Sequence, residues 1–354
     1  MREPHAAGAG HTAAGHWVVV GLDNGGTSNN ATVLDSRGVF LVDRLVENAS
    51  FVQEGPDVAI DALASAFVHV LSLTGTPLSA VRAVGLDTPG PTNAEGVISS
   101  KGATNFSAPE WRGFDFRAGL QNKLQLPVIY NNDGNSAALY AHHQFFGPRA
   151  PEESSISAIV GTGLGGGVIV AGQVVQGVAG MGGELGHVHI PMQGLLESDQ
   201  PLPQCNCGFA GDAESVASLK GIEKNLLPYW LSRYPDHDLN QLGAISQAAK
   251  QVRSYAEKGD PMALRIFEQQ AMALGRLFTI AANFTDPSAY FLGGGVVETT
   301  PQLRDWFMGV VRANTVLREE QVQRTAMALV PELDMAGARG SAIAAMRYVN
   351  AALG

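Results

Sequence analysis

Cysteine is almost missing from this chain: there are two in 354 residues, Cys205 and Cys207, separated by a single residue. So close a pair makes a poor disulfide framework. It points to a reducing, cytoplasmic setting and leaves metal ligation as the chemically interesting use. Basic charge is thin as well. Against 33 acidic residues stand 23 Lys and Arg, scattered along the chain, for a net charge of −10. A broad nucleic-acid footprint is therefore not expected. No run approaches the ~20 consecutive apolar residues of a membrane helix, so no membrane partner is expected either. The first sixteen residues, MREPHAAGAGHTAAGH, lack the apolar core of a secretory signal and read as a flexible tail. Also absent is G-x-x-x-x-G-K-[ST], which excludes a P-loop as the nucleotide holder.

Glycine, by contrast, is plentiful: 42 residues in a composition otherwise that of a soluble globule, 45% hydrophobic and 16% charged. The length allows one large domain or two medium ones with a sizeable core. Along the chain, residues 17–46 read as strand, turn, strand and a further stretch of strand. A helical pattern follows over 58–73, then a short strand AVRAVGLD that runs into the loop DTPGPTNAEG. A strand LPVIYNN leads into DGNSAALYAHHQFFG, a helix with Asp133 at or near its N-cap and Gly147 beyond its end. Then SISAIVGTGLGGGVIVAGQVV repeats the opening theme of strand, glycine-rich turn and strand. A loop-rich stretch over 176–215 precedes largely helical sequence to about Asn283, a strand AYFLGGGV, further helix, a last strand TAMALVPEL and a final helix from Gly340.

The stretch VVVGLDNGGTSNNATVLDSRG places an acid, an amide, two glycines and a hydroxyl at a turn where a hairpin needs only one or two φ-permissive residues. An ordinary turn is one reading. The other comes from the second hairpin: two similar lobes, each offering backbone N–H groups from a glycine-rich turn, can grip a phosphate chain between them. GTGLGGG also matches G-x-G-x-x-G, but a strand follows it instead of the helix a dinucleotide site requires. The remaining reading sets Gly25, Gly26 and Thr27 against Gly161, Thr162 and Gly163 across a cleft, with Asp23 suited to Mg²⁺ held partly through water.

The ordered series GLDNGGT, NNDGNSAAL, GTGLGGG, GMGGELGH, CNCGFAGDAES and FLGGGV resembles the ROK family of sugar kinases and sugar-responsive repressors, over about Val18 to Leu353. The resemblance implies an α/β chain with the actin-like ATPase fold, two similar lobes around a central cleft. It implies an N-terminal lobe over 17–131, completed by the C-terminal helix 341–354, and a C-terminal lobe over 132–340 carrying a metal and sugar loop at 184–215. It assigns the catalytic aspartate to Asp133, the base that takes the proton from the acceptor hydroxyl. Sugar contacts fall to Asn132, Glu184, His187 and Glu214, and to Gly90 and Asn105, whose place Thr104 can take. Gly293 and Gly294 are expected under the adenosine end of ATP, unless they only make a tight turn.

The family's zinc ligands fall on His187, Cys205, Cys207 and position 212, where the usual third cysteine is Asp212. Zinc accepts carboxylate oxygen, so a structural His-Cys-Cys-Asp zinc site is possible; the alternative is a loop that has lost its metal. His189 is a spare imidazole. With no stretch for a helix-turn-helix before the first hairpin, the kinase branch is expected over the repressor branch, acting as a cytoplasmic homodimer or homotetramer on ATP and a small sugar or sugar-like polyol. Glucose is the first choice of acceptor; an N-acetylhexosamine or a C7-cyclitol is the alternative, and a non-catalytic sugar-binding regulator the competing class.

Overall fold

A computed structural model describes residues 16–89, 92–99 and 106–353. In chain order the elements are β1 (Val18–Asn24), β2 (Ser28–Asp35), β3 (Val46–Ala49), α1 (Pro56–Thr74), β4 (Val81–Thr88), α2 (Phe116–Leu124), β5 (Val128–Asn132) and α3 (Asp133–Phe146). There follow β6 (Ser155–Val160), β7 (Leu164–Val170), β8 (Gln173–Val174), α4 (Glu214–Ala217), α5 (Leu219–Gly221), α6 (Leu227–Arg233), α7 (Ile245–Ala256) and α8 (Pro261–Thr285). The chain closes with β9 (Ala289–Gly294), α9 (Pro301–Ala313), α10 (Glu319–Val322), β10 (Ala326–Leu329) and α11 (Leu333–Leu353).

The strands form two five-stranded sheets, β3-β2-β1-β4-β5 and β8-β7-β6-β9-β10. Each is a three-strand antiparallel meander extended by two parallel strands, so the two halves share one topology. Alternation fixes which face is which. In β1 and β4, Leu22 and Leu86 point into a core shared with α1 and α2, while Gly21 and Gly85 lie under α11. A Cβ on Gly21 would stand 2.0 Å from the Ala338 carbonyl oxygen, and one on Gly85 1.9 Å from that of Ser341, so only glycine lets α11 sit so low on the sheet. On the other side α3 packs on β6 and β7, and α3 and α11 pack on each other, joining the lobes at the centre of the molecule.

Several elements differ from the sequence reading. The final helix begins at Leu333, ahead of Gly340. The strand expected over 39–46 is a turn followed by β3: the Asp35 carboxylate accepts from the backbone N–H of Arg37 and of Val39, both at 2.9 Å, and curls the chain before Val46 can pair with Ala31. Helix α1 is 19 residues long and apolar enough by length and composition to cross a membrane, although Asp57, Asp61 and His69 interrupt its apolar residues. Its Leu63, Ala66, Phe67 and Val70 are buried in the core of the first sheet.

Candidate active site

Asp23 ends the run of register-matched pairs between β1 and β4, and its partner there is Asp87. By alternation both side chains leave the sheet on the α11 side. Gly337 of α11 lies directly over them: a Cβ there would be 2.6 Å from Asp87 Oδ2 and 2.9 Å from Asp23 Oδ2. Burial, opposed by a hydrogen bond from Asn30 and reinforced by the charge of Asp133, pushes the Asp23 carboxyl up to about 6. Burial first, then the charges of Asp23 and Asp133, hold Asp87 well above the usual carboxylate range. Three acids thus feel one another at the end of the first sheet. Asp87 is the one that sequence reasoning missed, although a signal was there: β1 and β4 carry the same tetrapeptide, Val-Gly-Leu-Asp.

The glycines of the two hairpins do not answer to turn geometry. Neither Gly25 and Gly26 nor Gly161 and Gly163 has a positive φ. Gly25 is crowded by the Ser28 carbonyl oxygen and Gly163 by Glu214 Oε2, but a Cβ on Gly161 would meet nothing within 4 Å. Neither backbone strain nor internal packing requires glycine at 161. The second hairpin is braced from below, where Gly161 and Thr162 carbonyls accept from the N–H groups of Leu219 and Lys220 at 3.0 and 3.1 Å. Gly26, Thr27, Gly161 and Thr162 are at least partly exposed.

Asp133 is the first residue of α3, and Asn132 is the cap: its side-chain oxygen accepts from Asn135 N–H at 2.8 Å. Asp133 Oδ1 accepts from Gly134 N–H at 2.8 Å. Burial raises its carboxyl and outweighs the backbone N–H groups at the helix terminus, which pull the value down, so the net shift is upward. Glu184, raised mainly by burial, feels His187, Asp133 and Glu214. Three of the residues expected to meet the sugar or its reacting hydroxyl, Asp133, His187 and Glu214, therefore lie within electrostatic reach of a fourth, Glu184. Glu214 reaches further, since its Oε2 accepts from Leu164 N–H at 2.8 Å at the foot of the second hairpin.

His187, Cys205, Cys207 and Asp212 also converge, each offering one ligand atom within 4.8 Å of the others. His187 Nδ1 lies 3.2 Å from Asp212 Oδ2 and 3.9 Å from Cys205 Sγ, and Cys207 Sγ lies 3.7 Å from Asp212 Oδ2. A zinc tetrahedron with bonds of about 2.0–2.3 Å has edges of about 3.3–3.8 Å, so the donor set fits that ion in number, type and spacing. Burial and the Asp212 charge raise the Cys205 thiol, while hydrogen bonds from Ser215 and His187 bring the Asp212 carboxyl down against its own burial. With Nδ1 turned to the cluster, Nε2 of His187 is the nitrogen left for a substrate. His189 is exposed, and its backbone pairs with Asp212.

Two sequence expectations are not brought in by this geometry. Gly294 has a φ of 89°, and its Cβ would clash at 2.2 Å with the Val160 carbonyl oxygen, so strand-end geometry alone accounts for that glycine. Gly293 is packed against Val330 and Ile159. Gly90, Thr104 and Asn105 lie outside the described residues.

Comparison with known proteins places the arrangement. The model of the ROK family matches residues 19–347. A glucokinase of Halalkalibacterium halodurans is 32% identical over 282 residues, 78% of this chain and 80% of that one. A ROK hexokinase from Thermus thermophilus superposes with a TM-score of 0.73 at 29% identity, over 95% of this chain and 100% of its own. A ROK family glucokinase from Streptomyces griseus, solved with glucose and AMPPNP, gives 0.63 at 27% identity, over 93% and 99%. The paired sheets are the actin-like ATPase fold. From the first strand to the final helix, the chain belongs to the ROK family.

Proposed function

We propose glucose as the acceptor of this ATP-dependent sugar kinase and Asp133 as its general base. The observation that carries the reading is Glu184 standing within electrostatic reach of His187, Asp133 and Glu214, with Asp133 pinned at the start of α3. Carboxylates and an imidazole around one spot suit an uncharged ligand with adjacent hydroxyls, each of which can donate to one oxygen and accept from another group. Asp133 takes the proton of the acceptor hydroxyl as its oxygen bonds to the γ-phosphorus; the bond to the β-phosphate oxygen breaks and ADP leaves.

Gly25, Gly26 and Thr27 on one lobe, and Gly161, Thr162 and Gly163 on the other, are the backbone donors for the phosphates. Mg²⁺ bound from the Asp23 side supplies neutralisation of phosphate charge. His187, Cys205, Cys207 and Asp212 would hold zinc, which would brace the loop that carries Glu214 and fix the His187 tautomer. Gly293 and Gly294 remain our placement for the adenosine end. The resemblance to the 32% identical glucokinase supports glucose as the sugar. A homodimer or homotetramer in the cytoplasm is the setting the family resemblance favours, and light scattering reads the first half of that.

The test is a coupled assay of ADP formation with ATP and Mg²⁺ over glucose, mannose, N-acetylglucosamine, N-acetylmannosamine, fructose and a C7-cyclitol. Glucose is expected to give the highest kcat/KM. A higher value for an N-acetylhexosamine or the cyclitol removes glucose and keeps the kinase. Sugar binding with no turnover anywhere in the panel replaces the kinase with a sensor.

A further inference from the structure

The first sheet presents two acids where the family resemblance calls on one. Val20, Gly21, Leu22 and Asp23 pair in register with Val84, Gly85, Leu86 and Asp87, two copies of one tetrapeptide on adjacent parallel strands. Identical sequence in identical register puts the two carboxylates side by side, and Gly337 above them leaves room that any side chain would fill. Asp87 is only 1% exposed, and its Oδ1 has no hydrogen-bond partner. Ser136 Oγ, in α3, is buried and close enough to Asp87 to lower its carboxyl together with the Thr88 N–H, against the larger effect of burial. Asp23 receives a single side-chain hydrogen bond, from Asn30 Nδ2 at 3.1 Å. Among the described residues no Lys, Arg or His forms an ion pair with Asp23, Asp87 or Asp133.

A buried carboxylate with an unpartnered oxygen and no countercharge is expensive to keep charged, and a bound cation is one way to hold it so. The donors on offer are all oxygen and all hard. That set selects Mg²⁺ or Mn²⁺ over the thiophilic ions that suit the His187 cluster. We propose that Asp87 and Asp23 together bind one divalent cation, Mg²⁺ or Mn²⁺, in the nucleotide-free protein. Asp87 thereby becomes a direct metal ligand, and the cation is in place before ATP arrives. The role of the ion rests on the kinase reading; its binding does not.

The experiment is a Mn²⁺ titration of the metal-free, nucleotide-free protein at pH 7.5, followed by electron paramagnetic resonance of the free ion and by calorimetry, with wild-type ADP formation measured alongside. The proposal expects one Mn²⁺ per chain. It expects at least tenfold weaker binding in Asp87→Asn and in Asp23→Asn, with circular dichroism confirming that both fold. Wild type that binds no Mn²⁺ without nucleotide overturns it, and so does Asp87→Asn with an unchanged isotherm. Either of those results with normal ADP formation leaves the kinase standing. Mn²⁺ bound as expected with no turnover on any sugar keeps the two-acid site and removes the kinase.

Discussion

Glu214 Oε2 accepts a hydrogen bond from Leu164 N–H at 2.8 Å, tying a residue proposed to meet the sugar to the foot of the second glycine hairpin. Its other oxygen, Oε1, receives the Cys205 thiol at 3.4 Å. One side chain therefore couples the acceptor, the phosphate loop and the cysteine loop. Two substitutions separate these roles. In Glu214→Gln the amide oxygen can still accept from Leu164, while the charge facing the sugar and the acceptor of the Cys205 thiol are lost. In Glu214→Ala the hairpin is released too. A hydrogen bond to a charged group contributes about 1.5–3 kcal/mol, which corresponds to roughly 10–150-fold in kcat/KM for the sugar. Bisubstrate kinetics should show Gln raising the sugar KM alone and Ala raising the KM of sugar and of ATP together. Equal effects of both variants on ATP would show that the hairpin tie is irrelevant to nucleotide binding.

Asp133 is the base on this reading, and the predicted outcome for Asp133→Asn is a folded protein with kcat lowered about 10²–10⁴-fold, the range for loss of a general base. Burial raises the Asp133 carboxyl, and a base acts only when deprotonated. The acid limb of kcat/KM against pH should therefore lie above the ordinary aspartate value of about 3.9. A profile flat down to that value, or a near-wild-type rate in Asp133→Asn, removes Asp133 from the role.

The four-residue cluster around His187 makes a chemical prediction that does not depend on turnover. Wild-type protein should contain close to one zinc per chain by elemental analysis. Cys205→Ser should lose most of it and should show a raised sugar KM, because Glu214 shares the loop that the metal holds. Chelation of the wild type should reproduce the kinetic change, and added zinc should reverse it. Zinc-free wild type with a normal sugar KM would mark the loop as having dispensed with its metal.

Much of this site could be read from short strings. Turn glycines, the Asn132–Asp133 pair and the His187, Cys205, Cys207 and Asp212 spacing all act locally, so their meaning survives without coordinates. Asp87 did not, because its importance lies in register: only pairing of β1 with β4 sets it beside Asp23. The start of α11 escaped for a related reason. Its first turns are held by tertiary partners: Arg339 donates to Tyr140 Oη at 2.7 Å and to Glu332 Oε2 at 2.8 Å, and lies over the ring of Phe40. Gly340 is another position whose purpose is invisible in one dimension. In sequence it looks like a helix breaker, yet a Cβ there would stand 1.9 Å from the Ser136 carbonyl oxygen, where α11 crosses α3. At Gly294 the motif carries a second meaning that one dimension hides: its φ of 89° and the close Val160 carbonyl oxygen require glycine at the strand end whatever binds nearby.

His142 links stability to pH at the junction of α3 with the second sheet. The ring is buried, Nε2 donates to the Ala150 carbonyl oxygen at 2.7 Å, and Nδ1 lies 2.8 Å from Ser155 Oγ. Because the Ala150 oxygen can only accept, the proton sits on Nε2 and Nδ1 accepts from the serine hydroxyl. Burial lowers the His142 value, the Ala150 carbonyl partly restores it, and the positive charges of Arg347 and His143 lower it further. The native state then binds fewer protons than the unfolded chain between the lowered value and the unfolded value of about 6.5. Stability from this group is therefore complete above about 6.5 and is lost progressively as pH falls below it. Thermal unfolding of wild type should show Tm dropping on acidification from pH 7 to 5, and His142→Gln, which keeps a donor and an acceptor but cannot titrate, should flatten that slope while lowering Tm at pH 7. An unchanged slope in the variant would mean that His142 is not the group that senses pH.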